Sequence, residues 1–155
     1  MTRPKLSLYY DLHSPYAYLA FYAIKNSSTF KSCDVTYIPV LLVAYIKAIG
    51  LQPPWSSPNK INWMVTDITR SAREFNIPWT QGWPMNYPAM ATTVKVQRVL
   101  VACSHECPER YPDVIGALFH AFWVEKKGVQ LPEIYEPIIT DILGKEISSR
   151  IVEQA

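Results

Sequence analysis

The chain has 155 residues, the length of one ordinary domain, and is 49% hydrophobic, 13% aromatic and only 18% charged, which excludes disorder, collagen and repeat scaffolds. Its formal charge of +2, from 15 Lys and Arg against 13 Asp and Glu, provides no basic face for counterion release, so the expected partners are small or apolar and not nucleic acid. Cys33, Cys103 and Cys107 are too few for a disulfide framework, and the default compartment is a reducing one, the cytoplasm.

In chain order, Met1 to Lys5 lead straight into a strand without the apolar stretch of a signal peptide, so secretion is not expected. Leu6 to Asp11 is a short β-type run. Ser14-Pro15 then reads as a helix start, serine at the N-cap and proline at the first helical position, with the helix continuing to about Asn26. Val35 to Val40, rich in β-branched and aromatic side chains, is a second buried strand, which makes the first forty residues a βαβ unit with parallel strands and a right-handed crossover. The longest apolar run, Tyr37 to Ile46, is about half of the ~20 residues a membrane helix needs and is interrupted by Pro39.

From Leu42 onward the period is helical. A short helix ends at Gly50, and a longer one runs from about Asn59 to Phe75 behind the cap Ser57-Pro58-Asn59. A Pro- and Trp-rich segment from Ile77 to Ala89 follows. Further helices are expected at Thr93 to Cys103, Pro112 to Lys127 with a stop at Gly128, Leu131 to Leu143, and Glu146 to Glu153. No third strand is visible.

Ser14 stands where open α/β sheets bind ligands, at the first turn of a helix leaving the C-terminal end of a parallel strand. Backbone N–H groups and the positive end of the helix dipole favour an anion there, a thiolate included. The same residue is also the commonest kind of N-cap, contributing ~1 kcal/mol without any chemistry. His13 beside it suggests a base and nucleophile, but adjacent residues at a turn usually point apart. Cys103 and Cys107 share a helix face but lack the further ligands of a structural zinc, and buried helix cysteines are the simpler reading. His120 lies in an apolar helix, where an interior or boundary histidine is the default. The Pro78 to Pro88 segment suits either the wall of an apolar-substrate pocket or a packed connector.

Asp11-Leu12-His13-Ser14-Pro15-Tyr16-Ala17-Tyr18-Leu19-Ala20 resembles the D-x-x-S-P-[YF]-x-[YW]-L-[AG] opening of the kappa-class glutathione transferases and 2-hydroxychromene-2-carboxylate isomerases. Pro58 to Ile68 resembles their P-x-K-x-x-[YW]-M-x-x-D-[LI] block, and Pro39-Val40-Leu41-Leu42 with Lys47-Ala48-Ile49-Gly50 the segment after the second strand. The resemblance implies an α/β, DsbA-like thioredoxin fold: a thioredoxin-like βαβ unit in residues 1–45, followed by a helical insertion in residues 46–155. It implies glutathione as co-substrate, with Ser14 hydrogen-bonding the thiol sulfur, Lys60 contacting the peptide, and Gln52 and Tyr16 near enough to touch it. The substrate would be a small apolar electrophile, conjugated or isomerised, and the enzyme a homodimer.

With Ser14 and Ala17 at the ends of the tetrapeptide that thiol oxidoreductases fill with Cys-x-x-Cys, a cycling disulfide is disfavoured. Leu51 departs from the family, which carries a glutathione-binding asparagine there. Trp63 and Asp67 read as packing and helix-pairing positions. The strands and cis-proline turn that follow the insertion in the family have no counterpart expected here, which leaves a second reading open: a diverged or shortened member acting as an interaction or assembly subunit.

Overall fold

The computed structural model describes residues 2–84 and 93–155. Strand β1 (Lys5–Tyr10) is followed by helix α1 (Pro15–Asn26), a 3-10 turn (Ser28–Phe30) and strand β2 (Asp34–Pro39). Next come α2 (Leu42–Ala48), a second 3-10 turn (Pro54–Ser56) and α3 (Pro58–Glu74). The chain continues through α4 (Val94–Glu106), α5 (Tyr111–Trp123), α6 (Pro132–Leu143) and α7 (Lys145–Gln154). The two strands pair in parallel with Leu6 opposite Val35 and Tyr10 opposite Pro39, the βαβ unit expected from the sequence. Among the described residues the sheet has these two strands alone. No described helix is long and apolar enough to cross a membrane.

Alternation in β1 turns Leu6, Leu8 and Tyr10 inward and leaves Lys5, Ser7 and Tyr9 in solvent. Behind it, α5 is the central element. Its Phe119, fully buried, holds Tyr10, Tyr18 and Phe21 with ring centroids 5.7, 5.6 and 5.6 Å away, joining the strand, the first helix and the helical region into one core. A buried bond of 2.8 Å between the Tyr10 and Tyr111 hydroxyls closes the same junction, and burial holds both phenols well above their ordinary pKa. Gly116 lets α1 lie close to α5, since a Cβ at this position would stand 3.4 Å from the Phe21 ring.

Three of the five tryptophans belong to this core. Trp123 stacks on Trp79 at 5.4 Å, meets Trp83 edge-on at 6.0 Å, and donates its indole N–H to the Leu12 carbonyl at 3.0 Å. The first half of the Pro- and Trp-rich segment is therefore a packed connector. Tyr18 ties it to α1 through a 2.6 Å bond to the Pro78 carbonyl, and residues 85–88 lie outside the described residues.

Some boundaries differ from the sequence reading. The fifth helix ends at Trp123 and not at Lys127, because Lys126 itself takes the left-handed turn (φ 61°) and the Glu125 and Lys127 amides fold back onto the His120 and Ala121 carbonyls. Ser57 occupies the N-cap of α3 without a side-chain capping bond, and α4 runs on to Glu106. Cys103 is fully buried and Cys107 nearly so, and burial pushes the Cys103 thiol up to about 12. His120 stays exposed, 3.7 Å from Glu125.

Lys126 is clamped between the Gly82 carbonyl (2.7 Å) and the Trp79 ring (4.9 Å), and partial burial lowers its ammonium to about 8. Because the unfolded lysine still holds its proton up to about 10.4, this residue makes wild-type stability rise between pH 8 and 10 relative to Lys126→Met. Urea unfolding of both proteins at pH 7.5 and 9.5 checks it; a difference that does not change with pH would refute the assignment.

Candidate active site

The site is built around the turn between β1 and α1. Asp11, 2% exposed, ends the strand, and its Oδ1 accepts the His13 amide at 3.0 Å while its backbone carbonyl accepts the Ser14 amide at 2.9 Å. That tight turn places Ser14 at the N-cap in extended conformation (φ −91°, ψ 111°), and Pro15 fixes the first helical φ. The remaining valences of Asp11 reach across the fold. Oδ2 accepts the Leu42 amide at 2.8 Å, serving the first residue of α2 where Leu41 offers no cap, and Oδ1 also accepts the Thr93 hydroxyl at 3.0 Å, at the head of α4. One carboxylate thus sits at the positive ends of three helices.

A cavity of about 660 Å³ opens over this turn. Its floor is His13, Ser14, Pro15 and Tyr16, its sides are Leu42 and Ile46 of α2 with Leu51, Gln52, Pro54 and Trp55, and its far wall is Lys60, Trp63 and Met64 of α3. All four residues singled out from the sequence, Ser14, Tyr16, Gln52 and Lys60, border this one space. The lining is overwhelmingly apolar, with a few polar groups at fixed points, as small-molecule sites are.

Ser14 Oγ accepts the Ala17 amide at 3.2 Å, the capping bond, which leaves its hydroxyl hydrogen uncommitted among the described residues. Lys60 is exposed at the third position of α3, where a cation opposes the helix dipole, and no carboxylate lies within ion-pair distance of it among the described residues. Neither arrangement adds stability beyond the cap, and both suit an anionic ligand. The His13 ring stacks on Phe122 at 5.2 Å, and burial lowers its pKa, with Asp11 opposing.

Tyr16 lines the cavity by its ring. Its hydroxyl is committed, donating to Asp67 Oδ2 at 3.1 Å, and burial with the Asp67 contact pushes the phenol up to about 12. The bond from Tyr16 pairs α1 with α3, the role the position of Asp67 suggested, and Asp67 also holds Arg70 of its own helix at 2.9 Å. Trp63 departs from the sequence reading: it is 64% exposed, lies outside the core and borders the cavity together with Lys60, one turn before it, and Met64. Sequence reasoning missed the Asp11 junction and the wall formed by Leu42, Ile46 and Trp55. An Asp two residues before a turn amide is a legible signal; partners 31 and 82 residues away are not. The described part of the Pro78 to Pro88 segment forms no part of the wall.

A family model described as a DSBA-like thioredoxin domain matches residues 5–141, and the chain belongs to that family. Among curated proteins it is similar to glutathione S-transferase kappa 1 of Caenorhabditis elegans, 37% identical over 78 residues that make up 50% of this chain and 34% of that protein. The corresponding Rattus norvegicus protein is 29% identical over 76% of this chain and 53% of its own length. The chain thus spans between about a third and about half of these two relatives. A solved structure of 2-hydroxychromene-2-carboxylate isomerase superposes over 96% of this chain and 71% of that one, with TM-score 0.77 at 18% identity, and shows the same fold.

Asp11→Ala strips acceptors from two backbone amides and a buried hydroxyl at once and is expected to lower unfolding free energy by about 3 kcal/mol. Tyr16→Phe, which removes one part-exposed tie between α1 and α3, should lose about 1 kcal/mol or less. Urea denaturation of both variants gives the comparison, and an Asp11→Ala loss no larger than that of Tyr16→Phe would contradict the junction.

Proposed function

We propose that this chain binds glutathione in the cavity and activates its thiol for attack on, or reversible addition to, a small apolar electrophile. The observation that carries this is the Ser14 hydroxyl at the head of α1 bordering the same cavity as the Lys60 ammonium, the hydroxyl hydrogen uncommitted and the ammonium without an ion-pair partner among the described residues. When bound, glutathione supplies the nucleophilic sulfur. Ser14 donates a hydrogen bond to that sulfur, and the α1 backbone amides and dipole favour its anion over the thiol. Lys60 attracts a peptide carboxylate or carbonyl, Gln52 offers an amide at the rim, and the Tyr16 ring supports the thiol from below. A cavity of about 660 Å³ leaves an apolar remainder for the electrophile. The kappa glutathione transferase names of the relatives agree with this reading. Within it, residues 1–45 are the thioredoxin-like half and residues 46–155 the helical insertion, acting in the cytoplasm as a homodimer; light scattering behind size-exclusion chromatography would show a mass near twice 17.8 kDa.

The alternative, a non-catalytic interaction or assembly subunit, is favoured by one feature. Leu51, 61% exposed, borders the cavity with an apolar side chain at the position where the family resemblance expects a polar glutathione contact.

Calorimetric titration of glutathione, with thiolate absorbance followed against pH, separates the two. Saturable binding is expected, with the bound thiol pKa below its free value of ~8.5 and returning toward it in Ser14→Ala, which itself loses ~1 kcal/mol of stability with the cap. Absence of binding at millimolar glutathione would favour the subunit reading.

A further inference from the structure

Strand β2 pairs with β1 along one side, and the register shows which of its groups lie along the other. Asp34 and Val40 donate their amides to the Pro4 and Tyr10 carbonyls at 2.8 Å each, so the even-numbered residues of β2 face β1. The N–H and C=O of Val35 and Tyr37 therefore point outward, together with the Pro39 carbonyl, and no described residue bonds them. Beside this edge runs a groove of about 450 Å³. Val35 to Pro39 form one side of it, a run that spans about 13 Å of extended chain, and Val101, Ser104 and His105 of α4 form the other.

We infer that this edge docks an extended, proline-free segment of another protein, which adds to β2 as a further strand and sets a lysine or arginine against the end of α4. Backbone donors and acceptors that alternate along an edge are matched by another strand, and a single extended segment suits the space between β2 and the helix. The charge follows from α4, whose last turn forms the facing wall and carries the negative end of the helix dipole, with Glu109 just beyond it. A second copy of this chain fits less well. In a pairing centred on Tyr37, each Pro39 meets a Val35 carbonyl and has no N–H to offer it, and residues 34–42 hold no cation. The inference is independent of the transferase reading, since the groove shares no residue with the cavity over Ser14.

Nitrogen-15 NMR titration of the 155-residue chain with acetyl-Lys-Val-Thr-Val-Lys-amide, read by amide hydrogen exchange, tests it. In the free chain the Val35 and Tyr37 amides should exchange fast, whereas Thr36 and Ile38, bonded to β1, are protected. Millimolar peptide should slow Val35 and Tyr37 and leave Ser7 and Tyr9 fast. N-methylation of the three central residues of the peptide removes its central donors and should weaken binding at least fivefold, the counterpart of about 1 kcal/mol for a lost bond. Acetyl-Glu-Val-Thr-Val-Glu-amide should bind about two- to fivefold more weakly than the lysine peptide. Val101→Lys, a change at a 42% exposed position that should leave the unfolding temperature alone, should bring the two peptides level. Unchanged exchange at Val35 and Tyr37, equal binding of the N-methylated peptide, or protection at Ser7 and Tyr9 instead would overturn the inference. So would Val35 and Tyr37 amides that are already slow in a free chain of dimeric mass by light scattering, because the edge would then belong to a second copy.

Discussion

The buried carboxylate of Asp11 is the constraint on which the site depends. It stands at the C-terminal end of β1, where the chain must reverse into α1, and it receives bonds from His13, Leu42 and Thr93 in three separate segments. A carboxylate sealed from water needs such donors, here the His13 amide in the turn before α1, the Leu42 amide that begins α2 and has no partner within its own helix, and the Thr93 hydroxyl at the head of α4. The result is mutual. The helices satisfy the charge, and the charge fixes the helices, so that Ser14 and the first turn of α2 border the same cavity.

Packing then decides which side chains remain for ligands. Phe119 and Trp123 on α5 hold the aromatic residues of β1, α1 and the connector after α3, whereas at the start of α3 Lys60 and Trp63 stay outside the core and Met64 enters it. Ile68 and Ala72, further along α3, are buried, whereas Lys60 and Trp63 are not. The same helix thus packs into the core at one end and borders the cavity at the other, with the Tyr16 to Asp67 bond between them.

The chemistry available to the cavity follows from its asymmetry. Polar groups lie at Ser14, Lys60 and Gln52, and nearly everything between is apolar. A hydroxyl at a helix N-terminus stabilises an anion most strongly when water is excluded, since the same dipoles act in a lower dielectric. Leu51, Trp55 and Trp63 extend the apolar part of the lining between these polar groups.

Much of this was legible in the sequence. The βαβ unit, the Ser14-Pro15 cap and the seven helices of the described residues follow from periodicity and capping chemistry, because each is written in a window of a few residues, and the four residues that family resemblance singled out, Ser14, Lys60, Gln52 and Tyr16, border one cavity. What tertiary structure alone decided is which of two equally allowed roles each aromatic or polar residue takes. Trp63 and Trp79 look alike in sequence, but one meets Trp123 and the other meets a cavity. The Tyr16 hydroxyl goes to Asp67, 51 residues away, and Asp11 reaches Thr93 at a distance of 82 residues. Local sequence sets the conformation of a segment through short-range sterics and hydrogen bonds, whereas burial and pairing depend on which distant segment arrives beside it, and no local signal carries that information.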